Sequence, residues 1–288
     1  MTSRLYIGNG QAAPSTVIEK VVPILPPYTF QREVDSNGVL KLCTTNPYIM
    51  DFTSVTDLSS CVLSYAYKDN THISGNIDMS SLTAISGERA CFHTFDGCTG
   101  ITSADLSSVT SIGAYCCQYM FYGCTNLESV NLSSLTSIDG TAACYNMFQN
   151  CTSLTSVNFP SLTTVSYGMS NNMFTGCTEL RSVSFDVLSI IKVALGSNGS
   201  FMFDSCVKLE SVSFGGIKAS TNPKARFKAL FSTTTGSQSP NGCTVHFPTN
   251  FDPNNPNKTY DASKITGYPT FGGNAQYIHV AFDLPATE

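Results

Sequence analysis

Cysteine and histidine are the residues in this chain best equipped for chemistry, and there are 12 Cys and 4 His in 288 residues. A thiolate can attack an electrophile, bind a soft metal or form a cross-link. Five cysteines, Cys98, Cys124, Cys151, Cys177 and Cys206, recur at intervals of 26, 27, 26 and 29 residues. Cys91, Cys117 and Cys144 each stand seven residues before one of them. A metal site would call for Cys-x-x-Cys or paired His, and neither occurs. The second column gives way to Ser170 and Gly199 where cysteine lapses, so its positions read as places for a small buried residue. Cross-links along a column would require neighbouring repeats to distort. Free thiols in this number suit a chain that folds in a reducing cytoplasm.

The histidines add little. His93 lies three residues before Asp96, a weak metal-like spacing that reads as a surface pair. His246 sits between Val245 and Phe247 and reads as the outward residue of a strand. No Gly-rich phosphate loop, nucleophile elbow or paired-carboxylate motif is present. No catalytic residue, cofactor or metal is expected, and the chain is expected not to be an enzyme.

The spacing of the cysteines leads to the elements that carry them. Each belongs to a repeat, Phe-x-x-Cys-x-x-Leu-x-x-Val-x-Leu-x-x-Leu-x-x-Ile, whose copies begin at Phe95, Phe121, Phe148, Phe174 and Phe203. A constant period of this length is the signature of a solenoid. The Val-x-Leu pair alternates with period two, as in a strand with one face buried. The other apolar positions come every three residues, which suits turns or short helical pieces. One coil cannot close a core, so its apolar face is covered by the next. The fold class expected is a β-rich solenoid of coils of 26–27 residues.

At these Phe, Gly/Asn-Cys, Leu and Val-x-Leu positions the chain resembles the leucine-rich repeat family, in its BspA-like subclass. The resemblance covers roughly residues 46–220, with five in-phase copies. It implies right-handed coils with a parallel strand in each, in proteins used for adhesion, surface display or recognition. It carries over no catalytic residue. The chain departs from the family pattern in the residues after the strand, which are Ser-Ser, Pro-Ser or Asp-Val.

Composition fits stacking. Charged residues make up only 12% of the chain, because like charges one coil apart would repel along a column. Net charge is −5 with no cluster of Lys or Arg, so nucleic acid is excluded as a partner. No apolar run approaches the ~20 residues that span a bilayer. The first residues lack a basic start followed by an apolar stretch, so a standard secretory signal is not expected.

The organisation expected is a non-repeat segment at 1–45, a solenoid of about seven coils at 46–220 and an irregular cap at 221–288. The first segment holds an expected strand at Arg4–Gly8, a Pro-rich run at 22–28 and a turn at Asp35–Gly38 that signals a hairpin. It is either a cap on the first coil or a segment that docks on another subunit. Degenerate coils are expected at Met50–Val55 and Ile77–Leu82, with Tyr65 and Tyr67 filling the place of the missing columns. A last strand is expected at Val245–Pro248 and a closing one at Tyr277–Phe282.

The candidate binding face is the outward side of the repeat strands. One row is Ser103, Ser129, Ser156, Ser182 and Ser211; the other is Asp105, Asn131, Asn158, Ser184 and Ser213. Such rows can hydrogen-bond a glycan, or can be filler that stacking demands. A glycan hydrolase would need converging carboxylates, and the rows offer Asp105 alone. The leading expectation is a structural or recognition protein of a virus particle, a tail or head appendage. It would dock on other virion proteins through residues 1–45, form a homo-oligomer (a trimer), and meet a host-surface glycan or protein. The alternative location is a bacterial or protist cell surface, as an adhesin.

Overall fold

The computed structural model describes the backbone of residues 31–34 and 40–43 and, with side chains, residues 56–58, 63–165, 171–191, 201–217, 230–232, 234–249 and 277–286. The expected strand at Arg4–Gly8, the Pro-rich run and the coil at Met50–Val55 lie outside them.

Strands β1 (Gln31–Val34) and β2 (Leu40–Cys43) pair antiparallel, with Val34 opposite Leu40, as the turn signal between them requires. From there every pairing is parallel. Each coil contributes a longer strand and a two-residue strand. In chain order these are β3 (Ser74–Asp78), β4 (Ala84–Ile85), β5 (Gly100–Asp105), β6 (Ser111–Ile112), β7 (Ser129–Asn131), β8 (Ser137–Ile138), β9 (Ser156–Asn158), β10 (Thr164–Val165), β11 (Ser182–Phe185), β12 (Ile190–Ile191) and β13 (Ser211–Phe214). β14 (Cys243–Pro248) and β15 (Ile278–Leu284) continue the longer series, parallel to β13. The short strands form one sheet, β4-β6-β8-β10-β12. The chain is a parallel β-solenoid, and one continuous core runs through it, from Leu58 to Phe247.

The third side of each coil is built from turns rather than helical pieces, and the described residues contain no helix. Its amides alternate in use. Those of Cys91, His93, Phe95 and Gly97 reach the next coil, at the carbonyls of Cys116, Gln118, Met120 and Tyr122, 2.8–2.9 Å away. Those of Phe92, Thr94, Asp96 and Cys98 close turns on the carbonyls three residues back. Such a ribbon needs left-handed residues at fixed places. Just before the ladder cysteines stand Gly97, Gly123, Asn150, Gly176 and Ser205, with φ of 74°, 66°, 63°, 74° and 58°. This is why the repeat carries Gly or Asn there.

Two devices fix each coil on the one before. The ladder thiols of Cys98, Cys124, Cys151, Cys177 and Cys206 donate to the carbonyls of Tyr67, Phe95, Phe121, Phe148 and Phe174 at 2.9–3.1 Å. Each of these carbonyls also accepts the amide three residues on, as Phe95 does from Cys98, and the thiol adds a second donor to its other lone pair with little bulk. Across the coil, the hydroxyls of Thr83, Thr110, Thr136 and Thr163 donate to the carbonyls of Thr56, Thr83, Thr110 and Thr136.

The phenylalanines stack. Tyr67, Phe95, Phe121, Phe148, Phe174, Phe203 and Phe231 form one pile, with centroids 5.4–5.8 Å apart and near-parallel rings. Tyr67 thus fills the Phe column of a degenerate coil. Phe231 and Thr235 extend the columns where the sequence pattern lapses; the Thr235 hydroxyl donates to the Phe203 carbonyl, as a ladder thiol would.

Candidate functional site: the strand face

The strand face puts its residues in register. Ser103 pairs with Ser129 and Asp105 with Asn131 across β5 and β7. Ser156, Ser182 and Ser211 form one row, and Asn158, Ser184 and Ser213 the other, across β9, β11 and β13. All ten are exposed or half-exposed, while Ala104, Val157, Val183 and Val212 between them are buried. The rows extend further than the repeat pattern indicated. Asn76 and Asp78 stand beside Ser103 and Asp105, and Thr244 and His246 stand beside Ser211 and Ser213. The His246 ring also contacts the Asp283 carboxylate, 2.9 Å away.

Asp78 changes one element of the sequence reading: Asp105 is not the only carboxylate on the face. The pair is nonetheless occupied in turn formation. Asp78 Oδ1 accepts from the Ser80 amide and hydroxyl at 3.0 and 2.7 Å, and Asp105 Oδ1 accepts from the Ser107 amide at 2.9 Å. Asn131 accepts the Ser133 amide in the same way, at 3.2 Å. These are Asx turns that end each strand.

The face is divided. Its longer strands form two sheets, β3-β5-β7 and β9-β11-β13-β14-β15. The amides of Met79, Leu106 and Phe159 each bond the carbonyl one coil on, at Asp105, Asn131 and Ser184; Leu132, the counterpart between β7 and β9, makes no such bond. The two coils stay joined elsewhere, since β8 and β10 pair. The parting falls where the buried column at the end of the strand changes size. It holds Met79, Leu106 and Leu132 in one sheet, then Phe159, Phe185, Phe214 and Phe247 in the other, followed by half-buried Phe282. The phenylalanines stack at 5.0–5.7 Å. Leu132 offers Phe159 no ring to stack on, and in a close-packed interior the backbone absorbs the misfit.

The result is a groove of about 530 Å3. Its walls are Asn76, Ser103, Asp105, Asn131, Ser156 and Asn158, and Pro160 and Val130 also line it. Val130 is half-exposed, unlike its buried counterparts Ala104, Val157, Val183 and Val212. No lysine or arginine lines the groove.

A second cluster lies on the turn side. His93 and Asp96 are not the surface pair expected: their side chains are 16% and 6% exposed, with Nδ1 2.6 Å from Oδ2. Lys68 also bonds Asp96. Burial alone would raise the Asp96 carboxyl, but the hydrogen bonds from His93 and Lys68 outweigh it and hold the group below its usual range. The His93 ring lies between those of Tyr65 and Tyr119, 4.9 and 4.2 Å away. The ladder cysteines are buried and free, and burial pushes the Cys98 thiol up to about 12. Among the described residues no three His, Cys, Asp or Glu side chains gather in a way that could hold a metal ion.

The profile of the BspA type leucine rich repeat region matches the chain in six copies, at residues 60–166 and 92–229. The chain belongs to the BspA-type leucine-rich repeat family. The ladder cysteines and the Phe pile are thus the internal columns of a BspA-type solenoid, and the groove is a local feature of its strand face. A leucine-rich repeat protein from Bacteroides ovatus, known from a crystal structure, is 15% identical over 79% of this chain and 76% of its own, with a TM-score of 0.24. No curated protein matches the sequence.

Proposed function

We propose that this BspA-type repeat protein is a non-enzymatic recognition and structural component of a virus particle, which presents its strand face to a host surface. The recognition part rests on one observation: seven parallel strands, β3 to β14 in the longer series, hold two rows of hydroxyl, amide and carboxylate groups towards solvent. Rows held on a rigid scaffold cost little ordering when a ligand binds. The particle setting is supported by ten free, buried cysteines among the described residues. They need no oxidising compartment, and assembly followed by lysis takes a chain out of the cell without one. Residues 1–45 are the docking segment in this reading, and the appendage is a homo-oligomer of closed symmetry, a trimer.

Density-gradient fractionation of the source culture, with peptide mass spectrometry, tests the setting. Peptides of this chain that co-migrate with DNA-filled particles, in a copy number that fits the particle symmetry, are expected. Peptides confined to the cell envelope would replace the virion reading with that of a surface adhesin. Binding of the purified full chain to intact host cells tests recognition itself, and a chain that stays in the supernatant of every candidate host would overturn it.

A further inference from the structure

The groove at the parting of the strand face combines three properties. Its floor is apolar and open, because Val130 is half-exposed while Ala104, Val157, Val183 and Val212 are buried. Its backbone is unspent, because the Leu132 amide makes no ladder bond. Its walls rise one residue per coil over four successive coils, from Asn76 through Ser103 and Ser129 to Ser156. Coils that stack as parallel strands repeat at ~4.8 Å, so the four span about 15 Å along the solenoid axis.

We propose that this groove binds an unbranched, uncharged polysaccharide, laid along the solenoid axis with about one sugar ring per coil. The inference rests on the recognition reading above and names its ligand. A pyranose ring is close to a coil in length. It pairs an apolar C–H face with a rim of hydroxyls, which matches Val130 and Pro160 below amide and hydroxyl walls. Asn131 and Asn158 hold equivalent positions on either side of the parting, and both are exposed and line the groove. Each amide can donate and accept at once, as a sugar hydroxyl also does. The charge of the site selects further. Asp105 lines the groove, Asp78 stands beside it in the ladder, and no lysine or arginine lines it. Glycans bearing carboxylate or sulfate groups are therefore repelled. A peptide fits less well. An extended peptide gains affinity by adding to a sheet edge, whereas this groove runs across the strands.

The test uses the full-length chain and two immobilised probes, an unbranched neutral glucan and a polyuronate of similar length. Retention on the glucan and not on the polyuronate is expected. Asn131→Ala with Asn158→Ala is expected to weaken glucan binding about tenfold or more, the loss that follows from removing hydrogen-bonded contacts. Asn126→Ala with Thr155→Ala, on the coils of β7 and β9 but outside the two rows and the groove, is expected to change it little. All four side chains are exposed or half-exposed, and an unchanged melting curve verifies that each variant folds. Preference for the polyuronate, retention of neither probe, or equal loss from the two pairs of substitutions would overturn the groove assignment. If host cells still capture the chain while the glucan does not, the groove has failed and recognition stands. If neither captures it, both have failed.

Discussion

The turn side and the strand side are wound from the same coils, yet only the first is stacked without interruption. On the turn side one aromatic column runs from Tyr67 to Phe231, and ladder thiols with coil-to-coil amides accompany it at nearly every step. On the strand side the matching column holds aliphatic residues as far as Leu132 and rings from Phe159 onward, and the backbone ladder parts between β7 and β9. A fixed period is enough to bring coils together. Whether the backbone between two of them closes depends on the match of side-chain volume within each column. Uniform columns make a scaffold, and a step in one column opens a place where a ligand can lie.

That contrast can be broken first by removing a ring from the unbroken pile. Phe148 has rings on both sides, Phe121 and Phe174, and Phe148→Ala is expected to cost about 3–5 kcal/mol. Phe159 stacks on Phe185 and faces Leu132 on its other side, so Phe159→Ala is expected to cost about 0.5–1.5 kcal/mol less. Denaturant midpoints measure both, and equal losses would show that ring stacking does not separate the two sides. The contrast is sharpened by Leu132→Phe, which extends the rings by one coil. Its change in stability should stay within about 1–3 kcal/mol, and hydrogen exchange should show the Leu132 amide turning from fast to protected. An amide that remains fast would remove the volume step as the cause of the parting.

The thiol ladder gives a smaller effect. Cys151→Ala removes one of two donors to the Phe121 carbonyl, which keeps the Cys124 amide, and is expected to cost about 0.5–1.5 kcal/mol. Cys151→Thr keeps a donor, as Thr235 does, and should recover part of the loss. In the same experiment, buried thiols such as Cys98, pushed up to about 12, should resist alkylation until the chain is unfolded. The smallest effect belongs to the surface. Arg181 and Glu210 pair across coils at 2.6 Å, half-exposed, and Arg181→Ala should change stability by less than about 1 kcal/mol.

The scaffold was legible in the sequence because Cys and Phe recur at positions where few other residues serve. The groove was not. Leu132 and Phe159 both satisfy an apolar column, and a linear pattern does not register that one is branched and the other flat. Asp78 was within reach, since Ile77 and Met79 already placed its coil in phase with Asp105. Phe231 and Thr235 were hidden because three residues lie between them instead of two, with threonine in place of cysteine. The left-handed turn positions are announced by glycine or asparagine in most coils. Tyr65, His93 and Tyr119 take the same conformation, with φ of 56°, 53° and 55°, and nothing in their own chemistry signals it.

The side-chain donors of the thiol ladder and of the threonine column share a direction. Every ladder thiol, and every threonine hydroxyl of the opposite corner, gives its proton to the coil that precedes it in the chain. A ribosome releases the preceding coil first. The accepting carbonyls therefore belong to the portion already made, and each newly released coil brings side-chain donors to them. The nascent chain can be laid like courses of bricks, each new course sending side chains back to the one before and bringing the carbonyls that its forward-reaching amides, such as those of Cys91 and Phe95, require.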